Sequence, residues 1–324
     1  MRKFLSIVIP KFSETEKDIF PLLSSIRNQV GIDFSDLEII IVNDGGGTGE
    51  LDSHFLEFFD MCIKQITLTE NKGPGIARQA GLDLACGEYI MFCDADDILH
   101  SVGVLGAFIQ EAEKNADDII TSSWLEELMD DTGHYRYIQH ENENTWMHGK
   151  LFRRQFLVNN DIRFHDKLRV HEDSYFLCIA AELTERRANL PITSYVWKYR
   201  ADSITRSQNS IYTYDSFPTF IQAIILANQK LQKITPEKMM YRIVQLILYI
   251  YFTVHSSSWK KKENYIKKVE KATVEYLTPF MQYWKNADEQ FIANVYNEER
   301  NRNFSGYLEA ETVWDWIKRI GLEI

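Results

Sequence analysis

Asp94 and Asp96 stand two residues apart, directly after the apolar run Tyr89-Ile90-Met91-Phe92-Cys93, with Asp97 beside them. Two carboxylates so spaced at a strand end can hold a hard divalent cation together with phosphate oxygens. Unpaired, acids at the end of a buried strand would be costly. A plainer role stays open, because Asp96 or Asp97 could cap whatever follows Ile98. A calcium loop of the EF-hand kind is excluded, since its sixth position holds Leu99 in place of glycine. A second acid pair, Glu172-Asp173, opens the apolar stretch SYFLCIAAEL. Such an acid can take a proton from an attacking hydroxyl, or it can simply complement the dipole of a helix start. A third acid, Asp44, ends the run LEIIIVND before Gly45, Gly46 and Gly47. The dinucleotide spacing G-x-G-x-x-G is absent there, because Glu50 replaces the last glycine. No G-x-x-x-x-G-K loop occurs either: Asn144 stands where the first glycine before Gly149-Lys150 should be. Asp44 could equally be a turn residue ahead of the glycines.

The elements that would position these acids are legible over the first hundred residues. FLSIVIP reads as a buried strand stopped at Pro10. Ser13 and Glu16 resemble a capping box, followed by Ile19, Leu22, Leu23 and Ile26 on one helical face. LEIIIVND is a second strand. GPGIARQAGLDLAC is a helix with Ile76, Ala80 and Leu84 in one row, and EYIMFCD is a further strand. Strand-helix alternation of this kind predicts a mainly parallel sheet flanked by helices, an α/β fold. Ligands of such sheets bind beyond the carboxyl ends of the strands, where Pro10, Asn43-Asp44 and Asp94-Asp96 all fall. Residues from about 121 to 144 read as polar strands and loops laid over the site. WMHGKLFRRQFLVNNDIRF reads as a turn and then a helix, and VHEDSYFLCIAAEL as a helix starting at its acids. From about Ser207 onward the chain reads as helical.

Composition narrows the class. The chain has 324 residues, 45% of them apolar, which is enough for one large domain or two modest ones. Its net charge of -11 disfavours a general nucleic-acid binder. The charge is uneven: residues 1–204 hold 20 Lys+Arg against 34 Asp+Glu, net -14, and the remainder hold 16 against 13, net +3. The four cysteines lack metal-ligand spacing and read as reduced core residues of a cytosolic protein. No signal peptide is read, because Pro10 and Lys11 end the first apolar run. The most apolar later stretch, Ile243 to Val254, is 12 residues long and too short to cross a bilayer.

Five segments in order, SIVIP, IIIVNDG, NKGPGIARQAGLDLACGEYIMFCDADD, KLFRR and HED, resemble the family 2 glycosyltransferases of GT-A fold, over about residues 3 to 205. The resemblance implies a Rossmann-like catalytic domain over 1–205, with a nucleotide-sugar half to about 100 and an acceptor half beyond it. A helical C-terminal domain would then cover 206–324. Pro10 and Phe12 would border the nucleotide, although Lys11 and Ser13 depart from the family's usual turn. Asp44 matches the acid that binds the base. Asn71, Gly75 and Arg78 match a segment near base, ribose and phosphates, with Gln79 in place of the usual Asn. Asp94, Ala95 and Asp96 match the D-x-D motif: Asp96 as direct metal ligand, Asp94 toward the ribose or the metal's water. Glu172-Asp173 matches the family's acid pair, in which Asp173 corresponds to the catalytic base. Trp146, His148, Lys150, His171 and Glu172 fall in the region of the sugar and acceptor pocket. Trp146 could instead be core, and the two histidines structural. Arg200, in the closing segment YRADSIT, would approach the diphosphate.

The expectation is therefore a metal-dependent (Mn²⁺ or Mg²⁺), inverting transferase moving a sugar from a nucleotide donor, a UDP-sugar first, to a glycan or lipid-linked glycan. Neither the membrane helices nor the Gln-x-x-Arg-Trp motif of processive relatives is present, so a single transfer per encounter is expected. The basic stretch KKKENYIKKVEKA reads as a solvated helix face, or as contact with the inner face of a membrane. Two rivals are an enzyme decorating a modified DNA base or a protein, and a silent nucleotide-sugar-binding scaffold.

Overall fold

The structure, a computed structural model, describes residues 3–141, 143, 145–201, 203, 211–256, 259, 262–303 and 311–322. The chain divides into two compact units, Met1–Arg206 and Ser207–Ile324. Asn144, Asp202, Ile204, Thr205, Lys260 and Lys261, used in the sequence reading, lie outside the described residues.

The first unit runs β1 (Leu5–Lys11), α1 (Glu16–Arg27), β2 (Leu37–Asn43), α2 (Ser53–Glu57), β3 (Ile63–Thr67), α3 (Pro74–Leu84), β4 (Tyr89–Phe92), β5 (Ile98–Leu99) and α4 (Val104–Asn115). It continues with β6 (Ile119–Met129), β7 (Tyr135–His140), β8 (Lys150–Arg153), α5 (Arg154–Asn159), α6 (Glu172–Leu183) and β9 (Arg187–Trp197). The sheet order is β3-β2-β1-β4-β8-β6-β9-β5, with β7 paired to β6. Strands β3, β2, β1 and β4 are parallel; past β4, only β6 and β9 pair in parallel. The sheet is thus mixed, and its parallel part holds the strand ends read from the sequence.

Why β1 and β2 are strands is plain from their burial. Every residue of both is buried, so helices must cover both faces. Ile7, Ile9, Ile39 and Ile41 join Ile19, Leu22, Leu23 and Ile26 of α1 in one core, and each such side chain contributes about 1.5–3 kcal/mol by leaving water. On the other face α3 lies close: a Cβ at Gly81 would stand 2.4 Å from Cγ1 of Val8. That glycine is what lets the helix settle on the sheet.

Several local expectations need correction. The capping box is formed by Thr15 and Asp18, not by Ser13 and Glu16. The row Ile76, Ala80, Leu84 is not the packed face of α3, because Leu84 is 49% exposed. Gly75, Ala77, Arg78, Gln79, Gly81 and Leu82 are the buried residues instead: Gly81 lies against Val8 and Val42 of the sheet, while Arg78 and Gln79 are buried with polar partners, Glu172 and the Phe164 amide. Cys86 is exposed and is not a core residue, while Cys93 is buried. Lys150–Arg153 forms β8 rather than a turn, because it fills the slot between β4 and β6. Strands β3 and β9 had no separate signal in the sequence.

The second unit comprises α7 (Ile211–Leu231), α8 (Met239–Val254), α9 (Glu263–Leu277), α10 (Met281–Asn286), α11 (Glu289–Asn303) and α12 (Val313–Ile320). The apolar stretch of α8 is its central helix: Ile243, Val244, Ile247, Leu248 and Ile250 are buried in one cluster with Trp284 and Trp316. In α9 the basic pattern is amphipathic. Lys267, Lys268 and Lys271 are exposed, while Glu270 turns inward to Arg319 at 2.8 Å. Among the described residues no helix is long and apolar enough to cross a membrane.

Candidate active site

The parallel strands β2, β1 and β4 end together, and their ends carry the acids. Lys11 lies opposite Asn43 and Val8 opposite Phe92 in the register, so Asp44 and Asp94 leave the sheet on the same edge. The three glycines after Asp44 all hold positive φ, where a side chain would be strained. Gly47 also has no room: a Cβ there would fall 1.8 Å from the Phe12 carbonyl oxygen. This loop packs on the residue after β1 and leaves the Phe12 ring 41% exposed at the edge.

Asp44 is buried, and its two oxygens accept hydrogen bonds from the amides of Lys72 (2.9 Å) and Gly73 (2.7 Å). Burial raises its pKa, with the two amides opposing the shift. Asp44 therefore ties the end of β2 to the start of α3. The neighbouring Asn43 is buried, and neither polar atom of its amide has a partner. Pro10 is buried in β1 opposite Val42. The carbonyl of Asn71 accepts from Arg169 at 3.1 Å.

Arg78 is the hub. One guanidinium nitrogen donates to Asp94 Oδ1 and the other to Glu172 Oε1, both at 2.6 Å. The Arg78 side chain is 7% exposed and Glu172 8%, so this bridge is desolvated. The sequence reading set Arg78 in a segment near base, ribose and phosphates; the geometry adds that its guanidinium engages two carboxylates. Gly75 makes the bridge possible, since a Cβ there would stand 2.8 Å from Cγ of Glu172. Asp94 remains ionised below the usual carboxylate range: burial works against that, and the Arg78 charge outweighs it.

Asp96 behaves oppositely. Burial and the Asp94 charge push its pKa up to about 6, against the pull of Arg200. Arg200 lies 3.3 Å from Asp96 and 3.7 Å from Glu14. Asp97, by contrast, is a structural acid. It is fully buried and accepts from the Tyr195 hydroxyl (2.7 Å) and the Lys198 amide (2.8 Å). The Tyr195 hydroxyl also receives the Asp94 amide at 2.9 Å, so β9 fixes the whole acid loop. Sequence spacing did not reveal Tyr195, whose role depends on β9 reaching β5.

Atoms of Asp94, Asp97 and His148 lie within 4.8 Å of one another, a distance a metal ion could span. Both Asp97 oxygens are already engaged, however. The side chains that stay partly open are Asp94, at 31% exposure, and Asp96, at 25%. Carboxylates suit a hard cation, but each of these already faces a guanidinium, Asp94 that of Arg78 and Asp96 that of Arg200, so a cation held there would share or displace those partners.

Asp173 sits in the first turn of α6, beside Glu172. Burial and the Glu172 charge raise its pKa to about 8, opposed by Arg78. Its Oδ1 accepts the Ser174 amide at 2.7 Å. His171, just before it, has a left-handed backbone and holds its ring 3.3 Å from Ser174 Oγ.

The aromatic wall is built from β6, β9 and the turn before β8. His148 is buried between Tyr195 (ring centroids 4.9 Å), Trp124 (5.0 Å) and Trp197 (5.6 Å). Burial lowers its pKa to about 4, which leaves it neutral at physiological pH. Trp146 is partly buried and lies 5.1 Å from Trp197. Lys150 does not line an open pocket: its ammonium donates to Glu143 (3.0 Å) and to the carbonyls of Trp146 (2.6 Å) and His148 (3.2 Å). It clamps the turn before β8. Ala95 is buried within the acid loop.

Comparison with known proteins follows the same lines. The family model described as "Glycosyl transferase family 2" matches residues 6–167. The uncharacterized glycosyltransferase EpsJ of Bacillus subtilis is 27% identical over 228 residues, covering 63% of this chain and 64% of that protein. The poly(ribitol-phosphate) beta-N-acetylglucosaminyltransferase TarP of Staphylococcus aureus is 29% identical over 119 residues, 36% of each chain. The chain thus spans less than two thirds of the length of either relative. Among solved structures, S. aureus TarS 1-349 in complex with UDP-GlcNAc superposes with a TM-score of 0.65 at 19% identity, covering 95% of this chain and 98% of that one. That likeness shows a shared GT-A fold. The match over residues 6–167 takes in half of the sequence and both D-x-D carboxylates, and the chain belongs to glycosyl transferase family 2.

Proposed function

We propose that the chain is a metal-dependent, inverting glycosyltransferase that moves a sugar from a UDP-sugar to a hydroxyl of a glycan or lipid-linked glycan. The observation that carries this reading is the buried Glu172–Arg78–Asp94 bridge, which holds a donor-side acid and the acid next to the base on one guanidinium. Asp94 and Asp96 are the residues that would hold a divalent cation. When bound, that cation offsets charge growing on the departing diphosphate. Asp44, Phe12 and Asn71 border the nucleotide. Asp173 takes the acceptor proton as its hydroxyl attacks the anomeric carbon. Its elevated proton affinity suits it to that task near neutral pH. The UDP-GlcNAc complex of a protein of the same fold supports UDP as the nucleotide. The four unbridged cysteines fit a reducing cytoplasm. The exposed lysines of α9 would give contact with the inner face of an anionic membrane.

Calorimetric titration of UDP tests the site. In the unaltered chain Mn²⁺ should tighten UDP binding at least about tenfold, and Asp96→Ala should remove that gain. Equal affinity with and without Mn²⁺ would refute the metal assignment.

A further inference from the structure

Strand β7 is an edge strand exposed almost from end to end, with Tyr135 58%, Tyr137 53% and Ile138 44% exposed. Aromatic side chains at such an edge call for an explanation, because edges are normally blunted with charge. Side chains alternate across a strand. The register sets Glu127 opposite Tyr137 and Met129 opposite Tyr135, so one face of the hairpin carries Leu125, Glu127, Met129, Tyr135, Tyr137 and Gln139. Among these six residues Glu127 alone is charged. The other face carries Arg136, His140 and Glu126, the last 3.1 Å from His140.

This surface is continuous with the candidate active site. Tyr135 lies 6.5 Å, ring to ring, from Tyr199. Glu127 accepts from the Tyr137 hydroxyl (2.7 Å) and from the Tyr199 amide (3.1 Å). The next residue is Arg200, 3.3 Å from Asp96. The aromatic line therefore runs from beside the acid loop to Tyr135 next to the hairpin turn, and from there back along β7 to Tyr137.

We infer that this face of β6 and β7 is the acceptor platform, and that the acceptor is a neutral glycan chain several sugars long. The inference rests on the transferase reading above. Tyrosine supplies a flat apolar face for a sugar ring and a hydroxyl for its polar edge. Residues two apart on a strand stand roughly 6.5–7 Å apart, about one sugar unit. Tyr199, Tyr135 and Tyr137 thus offer stations for about three successive sugars. Within the β6–β7 hairpin this face has no basic side chain, and a polyanionic chain lying along it would meet Glu127.

The full chain is titrated with neutral hexasaccharides of glucose, galactose, mannose and N-acetylglucosamine, and with the matching monosaccharides, by saturation-transfer NMR. At least one hexasaccharide should bind more than tenfold tighter than its monosaccharide. The double variant Tyr135→Ala, Tyr137→Ala should lose that advantage, and Tyr135→Phe, Tyr137→Phe should keep most of it. Release of nucleoside diphosphate from the donor should be unchanged in both. The inference is overturned if no hexasaccharide exceeds its monosaccharide, if the alanine pair binds as the unaltered chain does, or if only polyphosphate binds. Absence of donor turnover from the unaltered chain would instead overturn the transferase reading, whatever the sugars do.

Discussion

The pKa of about 8 at Asp173 is the most consequential number at the scale of single residues. A base must be deprotonated to act, so the transfer rate should rise with pH toward about 8 and then level off. Asp173→Asn keeps the shape and removes the proton acceptor; the rate should fall by about 10²–10⁴ while UDP affinity is retained. Stability gives an independent reading with a fixed sign. The folded-state pKa lies above the ordinary 3.8, so the stability contributed by the protonated acid is complete below about 4 and is lost as pH rises through about 8. The Asn variant should therefore gain in melting temperature, relative to the unaltered chain, between those limits. A gain that shrinks with rising pH would contradict the burial of this acid.

Elements explain why some site residues were legible and others were not. Asp44, Asp94 and Asp96 were readable because parallel strands deliver their carboxyl ends to one edge, and buried strands announce themselves by apolar runs. Arg78 was found by its motif, but its bond to Glu172 was not, because that depends on α6 bringing Glu172 to α3. Tyr195 gave no signal, since its hydroxyl matters only once β9 pairs with β5. Lys150 looked like a pocket residue because the turn that its ammonium clamps could not be foreseen. The approach of α3 to α6 is testable at Gly75, where a Cβ would press on Glu172. Gly75→Ala should cost about 1–3 kcal/mol by overpacking and weaken UDP binding, since it disturbs the Arg78 bridge. Unchanged urea unfolding would show that the two helices have room to spare.

At the scale of the whole molecule, the charge imbalance noted in the sequence falls on two compact units, the first acidic and the second slightly basic. The exposed Lys267, Lys268 and Lys271 of α9 are where an anionic surface would be felt. Co-sedimentation with phosphatidylglycerol vesicles should be measurable at low salt and fade as salt approaches 0.2 M, because exposed charges are then screened within about 10 Å. Reversing the three lysines to glutamate should abolish it without changing donor turnover. Association that ignores both salt and reversal would place membrane contact elsewhere.

The central claim, transfer from a nucleotide sugar with a divalent cation, is tested most directly by a donor panel. The purified chain is incubated with UDP-, GDP- and TDP-sugars in Mn²⁺, Mg²⁺ or EDTA, and slow release of free nucleoside diphosphate is followed. Release from a UDP-sugar that stops with EDTA and with Asp96→Ala is the predicted result. No release from any donor, together with no thermal stabilisation by donor and metal, would contradict the account and leave Asp94 and Asp96 as an ordinary strand end.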